Sequence, residues 1–492
     1  MASGWHRRVF TLLRESGLDA DTKGLVSVML LGDDALLDPE VSAAYADAGV
    51  SHILCVSGMH VGILYMMSGY LLFFLGRSHR LRLCRSILQL LLIWAYACVV
   101  ALAPSVVRAS VMFSFVTLGG VLQRQTSVYN SLLTSAFLML LLQPMLLFDI
   151  GFQLSYLAVW GIVAMQPVMQ RWWSPRNRAC RFLWGIWSVS ISAQLFTTPV
   201  TLYCFHRFPS WFLLSNVAVV TAAPFVVGVA LAYMLLSFQP FLSGCLAFIL
   251  ELLVRFMHGS VSAVGRLPFA VIGPVRMDAA QLVFSCMLVC MLVLFLKKRT
   301  ARLGLAVLLC MSLLVGEGVR CAFRDRMHVE AVMYAVPHHY AVEYGTSDCP
   351  LLFSDSPEQF REGVFDRYME GYRIRHGHSA PQCVERDSTA AGWVRRGDYF
   401  QLGRISFLFL QGRFTMDTAG MMSFSPDYLL VGDSLRARPE KVLSTLCPGC
   451  VCTLPGISRF RIGSWKSACM ERGIPFVEMG KTGMLRLCID KQ

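Results

Sequence analysis

The chain has 492 residues, 55% of them hydrophobic and only 15% charged, with a formal net charge of +13 and a mean hydropathy of +0.55. Soluble domains carry nearer a quarter of charged residues, so this composition excludes an ordinary cytosolic enzyme and any disordered chain. The deficit is uneven: Val50 to Val319 holds four acids (Asp149, Glu251, Asp278, Glu317) against eighteen Lys and Arg, whereas Arg320 to Gln492 holds nineteen acids against twenty-two bases. The first stretch reads as a membrane domain and the second as a water-exposed one. The seventeen cysteines lack the dense spacing of a disulfide scaffold.

Residues 1–22 carry Arg7, Arg8, Arg14, Asp19 and Asp21 without a long apolar run, unlike a cleavable leader. Gly24 to Leu31 is apolar but too short to cross a bilayer, and the acidic stretch Asp33, Asp34, Asp38, Glu40 leads into a short surface helix. Spans of about 20 apolar residues are expected at Ile53–Leu75, Ser86–Ala103, Ser105–Leu122, Val128–Phe148, Ile150–Val168, Phe182–Phe205, Trp211–Phe238, Phe241–Met257, Ala280–Leu296 and, weakly, Leu303–Phe323. That makes about ten, with Pro224 expected to break the seventh into half-helices. Three basic clusters follow the first, fifth and ninth spans: Arg77, Arg80, Arg82 and Arg85; Arg171, Arg176, Arg178 and Arg181; Lys297, Lys298, Arg299 and Arg302. Ten spans place all three on one side, which the positive-inside rule makes cytoplasmic, leaving both termini outside.

After Arg320 the apolar runs shorten to strand length: His328–Val336, Tyr340–Tyr344, Leu351–Phe353, Ile405–Leu410, Tyr428–Val431 and Phe476–Glu478. Glu358–Glu370 and Ser464–Arg472 read as helices. The fold class is therefore a polytopic α-helical membrane protein followed by a soluble α/β domain. The divisions are a lead-in over residues 1–50, a transmembrane domain over 51–319 and the soluble domain over 320–492.

Several polar groups sit at membrane depth, where they must face protein or a water-filled cavity. Ser57, Gly58 and His60 lie early in the first span; they can line a polar path, pack the helix, or form a catalytic Ser–His pair. Intramembrane serine proteases place a glycine two residues before the serine, where this chain has Cys55. Arg108 stands one turn into the third span, either snorkelling to headgroups or facing an anionic substrate. Asp149 reads as a helix N-cap, and Gln153 and Ser155 point different ways, so only one of them lines a cavity. Gln194 with Thr197, Thr198 and Pro199 interrupts the sixth span, and Asn216 the seventh. Glu251 and Arg255, four apart, form an internal ion pair.

Three motifs in the soluble domain are rejected as sites. Gly480-Lys481-Thr482 has Pro475 where a phosphate loop needs its first glycine. His376-Gly377-His378 is followed by Ser379-Ala380-Pro381 rather than by the Asp-His of a two-metal hydrolase. Cys447, Cys450 and Cys452 lack the second pair of a zinc site and read as a disulfide or buried thiols. No catalytic residue, metal or cofactor is expected.

The order and spacing of the membrane motifs resemble the ComEC family of competence proteins. The matching runs are Leu30-Leu31-Gly32-Asp33 with Ala48 through Gly62, then Pro104 through Met112, then Pro144 with Phe148 through Val159, and finally Ala193-Gln194 to Tyr203 followed by Asn216. Family members commonly carry a further N-terminal region with additional spans and a small β-domain. The soluble tail looks like an eroded metallo-β-lactamase-like domain, with Pro426 through Ser434 standing where a histidine-rich loop is expected. The resemblance implies an inner-membrane channel passing single-stranded DNA in natural transformation. It also implies a cytoplasmic ATP-driven helicase-type motor and an extracytoplasmic DNA-binding receptor as partners. Ser57, Gly58, His60, Arg108, Asp149, Gln153, Gln194 and Asn216 are then the candidates for the DNA path. Composition alone fits a small-anion transporter equally well, and an intramembrane hydrolase built on Ser57 and His60 is the third reading.

Overall fold

The computed structural model describes residues 2–76, 79–122, 127–236, 238–327, 329–346, 349–361, 363–390, 392–412 and 425–489. Arg77 of the first basic cluster and His328 of the first expected strand lie outside them. The chain divides into two compact units, Met1–Ser312 and Leu313–Gln492, the division falling within one helix.

In the first unit, α1 (Ala2–Glu15), α2 (Ala20–Leu31) and α3 (Pro39–Asp47) lead in. Then come α4 (Gly58–Leu71), α5 (His79–Val99), α6 (Pro104–Val121), α7 (Val128–Leu142) and α8 (Ile150–Trp172). The series continues with α9 (Arg178–Phe205), α10 (Phe212–Leu236), α11 (Pro240–Gly265), α12 (Ala279–Lys298) and α13 (Ala301–Met327), the helix in which the division falls. Strands β1 (Phe208–Pro209) and β2 (Val271–Ile272) pair antiparallel. Among the described residues seven helices are long and apolar enough to cross a membrane: α5, α6, α8, α10, α11, α12 and α13.

Three expected spans differ from their sequence reading. The first, expected over Ile53–Leu75, begins as a 3-10 turn and an extended link, and is α-helical only over the 14 residues of α4. The fourth stops at Leu142 because Pro144 cannot continue an α-helix, leaving 15 residues in α7. The sixth has ample length in the 28 residues of α9, but its Ser, Thr and Gln side chains make it less apolar. Nor do Pro199 and Pro224 break their helices as expected: α9 and α10 run through them. Hydroxyls beside the prolines bond back to their own helix, Thr198 Oγ1 donating to the Gln194 carbonyl at 2.7 Å and Thr221 Oγ1 to that of Val217 at 2.5 Å.

Helix starts are set by capping side chains. Asp19 accepts from the Thr22 N–H at 2.9 Å, Asn177 from Ala179 at 2.9 Å and Asp278 from Ala279 at 2.7 Å. α8 and α9 approach most closely at Gly161, where any Cβ would stand 2.5 Å from the Ser192 carbonyl oxygen. The short apolar run ending at Leu31 is buried: Leu25 and Met29 of α2 pack with Val219 and Val226 of α10 and Val254 and Met257 of α11.

The second unit continues from α13 with β3 (Val329–Tyr334), β4 (Ala341–Gly345), β5 (Leu351–Ser354), α14 (Pro357–Arg361), α15 (Asp366–His376) and β6 (Gln382–Cys383). Then follow β7 (Ser388–Ala390), β8 (Trp393–Arg396), β9 (Tyr399–Leu402), β10 (Ile405–Leu410) and β11 (Tyr428–Val431). The unit closes with α16 (Pro439–Leu446), β12 (Cys450–Thr453), α17 (Arg459–Glu471), β13 (Phe476–Glu478), α18 (Met479–Thr482) and β14 (Met484–Ile489). One sheet has the order β14-β3-β4-β5-β6 and the other β13-β12-β11-β10-β9-β8-β7. They bury Met333, Val342, Phe353, Phe400, Phe407 and Leu430 between them, with Tyr340, Phe400 and Phe407 among the stacked rings. α16 and α17 cover the outer face of the second sheet through Leu443 and Trp465, and α15 covers that of the first through Met369 and Tyr372. The expected single helix Glu358–Glu370 is two, α14 and α15, separated at Gly363, which holds a left-handed φ of 77°.

Candidate functional site

One end of the first unit gathers the polar residues singled out above. Ser57 ends the extended link into α4, and its backbone N–H donates to His60 Nδ1 at 3.0 Å, with Ser57 Oγ 3.1 Å from the same nitrogen. A ring nitrogen that accepts from the backbone is satisfying a helix start, so the Ser–His contact is a cap rather than an assembled nucleophile and base. His60 is 1% exposed, and its Nε2 is buried without a hydrogen-bond partner among the described residues. Gly58 opens α4, and its Cβ position lies 3.4 Å from the Ala109 methyl of α6.

Arg108 lies in the second turn of α6 and is 4% exposed. Its Nη2 donates to the Gly151 carbonyl in the first turn of α8 at 3.2 Å, and its guanidinium carbon stands 5.9 Å from the centre of the Phe152 ring. Its Nε is buried without a partner, and among the described residues no carboxylate is paired with it. Asp149 is occupied as the cap of α8, accepting from the Phe152 N–H at 2.5 Å. Ser105, which sequence reasoning passed over as part of a motif, donates to the Val56 carbonyl at 2.5 Å and ties the start of α6 to the link before α4. The N-termini of α4, α6 and α8 thus converge, each presenting the positive end of its helix dipole around a buried cation. Asp149 at the start of α8 is engaged by the backbone and, among the described residues, does not pair with Arg108, so three helix N-termini and a guanidinium leave the surface suited to a negatively charged guest.

The remaining candidates are placed elsewhere. Gln153 turns back and donates to the Leu147 carbonyl at 2.8 Å, while Tyr156 OH, one turn of α8 further on, stands 3.0 Å from Ser135 Oγ of α7. Gln194 contributes its carbonyl to Thr198, and Asn216 of α10, 7% exposed, donates to Ser190 Oγ of α9 at 3.1 Å. Asn216 Oδ1 is buried without a partner among the described residues. Asn216 thus ties α10 to α9, and no hydrogen bond among the described residues joins it or Gln194 to the Arg108 cluster. Glu251 does pair with Arg255, at 3.8 Å, and Asp19 joins them at 3.7 Å from the same guanidinium. The sequence gives no local signal for that third partner, which lies 236 residues from Arg255.

The second unit has its own polar groups. His338, at a left-handed φ of 64°, meets Asp433 at 2.7 Å, whereas His339 meets Asp355 at 2.9 Å. The adjacent imidazoles are thus bound to different carboxylates. His378 Nδ1 lies 2.6 Å from the buried Glu343, which also accepts from Tyr334 OH at 2.9 Å. His376 ends α15, stacks on Tyr372 with ring centroids 3.9 Å apart, and its Nδ1 lies 3.0 Å from the Tyr372 carbonyl oxygen. Cys447, Cys450 and Cys452 are free thiols, the last two on one face of β12. Lys481 is engaged by Glu478 at 2.7 Å.

Helices sufficient for several crossings, followed by a sheet-containing domain, define a multi-pass membrane protein with a C-terminal α/β unit. The chain belongs to the Competence protein family, whose model matches residues 29–299; the model of the ComEC C-terminal domain matches residues 331–489. It is similar to ComE operon protein 3 of Bacillus subtilis (strain 168), 33% identical over 191 residues. That match covers 39% of this chain and 23% of the relative, so it spans less than a quarter of that protein. No solved structure matches the chain.

Burial holds the His376 imidazole below its ordinary value, outweighing the pull of the Tyr372 carbonyl in the other direction. A depressed histidine favours the neutral form in the folded state, so its contribution is present above pH about 6.5 and is lost as the pH falls. Burial pushes Glu330 up, but hydrogen bonds from Arg486 and Tyr372 prevail and hold it below the usual glutamate value, adding a further loss at lower pH. The denaturation midpoint of the C-terminal unit should therefore drop from pH 7 to pH 5, and His376→Gln should flatten that slope. An unchanged slope in the variant would contradict the assignment.

Proposed function

We propose that this protein forms the path by which single-stranded DNA crosses the bacterial inner membrane in natural transformation. The observation that carries the reading is Arg108, buried where three helix N-termini meet and hydrogen-bonded to a carbonyl rather than to a carboxylate. Such a site attracts a polyanion, and the neighbouring Asp149 is held as the cap of α8. In this reading the bundle crosses the membrane ten times, with α4, α7 and α9 completing the series. The basic clusters that include Arg82, Arg176 and Lys298 lie in the cytoplasm, and the C-terminal unit lies outside. In this reading, as the family resemblance implies, a cytoplasmic helicase-type motor supplies the pull and an external receptor delivers the strand. Membership of the Competence family favours DNA over the small anions that composition alone would allow. The capping geometry of Ser57 and His60 speaks against the hydrolase alternative.

Arg108→Ala should lower transformation at least tenfold while the protein still inserts and accumulates, with Arg108→Lys retaining part of the activity. Wild-type transformation in Arg108→Ala would reduce the residue to a packing role.

The C-terminal unit is, in the same reading, a metallo-β-lactamase-like fold whose site has eroded, acting as a scaffold rather than a nuclease. Its support is the separate pairing of His338 with Asp433 and His339 with Asp355, and a fold can outlive its chemistry. The purified full-length protein should leave single- and double-stranded DNA intact in manganese or zinc. Metal-dependent cleavage abolished by His338→Ala or His376→Ala would overturn this part of the proposal.

A further inference from the structure

At the other end of α6 from Arg108 lies a cavity of about 200 Å³ between α4, α5 and α6. Arg82, Arg85 and Gln89 of α5 line it together with Tyr65 of α4 and Thr117 and Gly120 of α6. From Arg108 to Gly120 the helix rises about 18 Å at 1.5 Å per residue, so the two sites are separate. The floor of the cavity is polar and held in place. Gln89 and Thr117 are each 5% exposed, Thr117 Oγ1 donates to the Phe113 carbonyl at 2.7 Å, and it stands 3.3 Å from Tyr65 OH. The absence of a side chain at Gly69 lets Arg85 and Gln89 close on α4: a Cβ there would stand 3.3 Å from Gln89 Nε2 and 3.4 Å from Arg85 Nη2.

Two guanidiniums beside an enclosed amide and hydroxyl call for an anion. The chain has no Asp or Glu between Asp47 and Asp149, so α4, α5 and α6 carry no carboxylate of their own. Among the described residues none pairs with Arg82 or Arg85 from elsewhere. The space takes a phosphate group, comparable with a few waters of about 30 Å³ each. Arginine meets phosphate oxygens bidentately, and the Gln89 amide and the Tyr65 hydroxyl can donate to the remaining ones, while Thr117 is spent on the Phe113 carbonyl. The source of that phosphate follows from the surroundings. Leu83 and Val116 also line the cavity and are 42% and 40% exposed, so it opens onto the apolar flank of the bundle, where acyl chains run.

We infer that this cavity between α4, α5 and α6 binds the phosphate headgroup of one anionic phospholipid, clamped by Arg82 and Arg85. The site fixes the basic end of α5 to the bilayer surface and is independent of the channel reading.

The test is native mass spectrometry of the full-length protein in detergent with added phosphatidylglycerol, using phosphatidylcholine as the neutral comparison. One phosphatidylglycerol per chain should survive activation that strips phosphatidylcholine. Arg82→Gln with Arg85→Gln should weaken retention about tenfold. Gly120→Leu, which fills the cavity from a position with nothing within 4 Å of its Cβ, should do the same with both arginines intact. Arg171→Gln with Arg176→Gln, in another basic loop, should leave retention unchanged. Equal weakening in that control would reduce the effect to diffuse charge. Displacement of the lipid by inorganic phosphate or by an oligothymidylate at equal concentration would reassign the site to a soluble anion or to DNA. Either result overturns the proposal, as does no preference for phosphatidylglycerol over phosphatidylcholine.

Discussion

A guanidinium kept out of water and hydrogen-bonded to a carbonyl rather than to a carboxylate is the constraint on which the membrane unit turns. Burying an unpaired charge costs several kcal/mol, and placing a cation near a helix N-terminus adds the repulsion of the dipole. Arg108 bears both penalties. Its compensation is a carbonyl at Gly151, the face of Phe152 and a hydroxyl tie from Ser105 that holds α6 against the link before α4. A residue used only for packing would not need that arrangement, because an aliphatic side chain would fill the same volume at lower cost.

The four acids between Val50 and Val319 extend the same argument. Asp149 and Asp278 cap α8 and α12, Glu251 meets Arg255, and Glu317 is bound by Arg320 at 2.5 Å. Each has a local partner, so the cationic excess of this stretch is left uncompensated by its own side chains. Hydroxyls are treated with equal economy, Ser192 and Thr198 returning to carbonyls of their own helix at 2.6 Å and 2.7 Å. Many of the polar groups in the helices are thus met within their own helix, and His60 Nε2 and Asn216 Oδ1 stand out as buried atoms left without a partner among the described residues.

Legibility from sequence followed the range of the interactions concerned. Arg108 and Asp149 could be singled out because charge in an apolar run is conspicuous and because an acid before a helix is a cap. The partners of Arg108 could not, since a backbone carbonyl at Gly151 has no sequence signature. The prolines misled for a related reason: Pro199 and Pro224 read as breaks, but α9 and α10 run through them, as helices packed against neighbours can. In the second unit β12 was hidden behind its cysteines, which draw attention as ligands although Cys452 is simply core. β8 and β9 were hidden by Arg395 and Gln401, polar residues in short strands. Arg395 is 1% exposed and holds the carbonyls of Val384 and Ser354 at 2.5 Å and 2.6 Å, long-range partners that periodicity does not reveal.

The central claim is that a DNA strand passes the end of the bundle where α4, α6 and α8 begin. It is tested most directly by placing a photoreactive amino acid at Cys55, an exposed position in the link before α4, and at Cys245, an exposed position on α11, during uptake of labelled DNA. The account predicts a covalent adduct between incoming single strands and position 55, with little or none at position 245. Uptake that proceeds normally without an adduct at position 55 would contradict it.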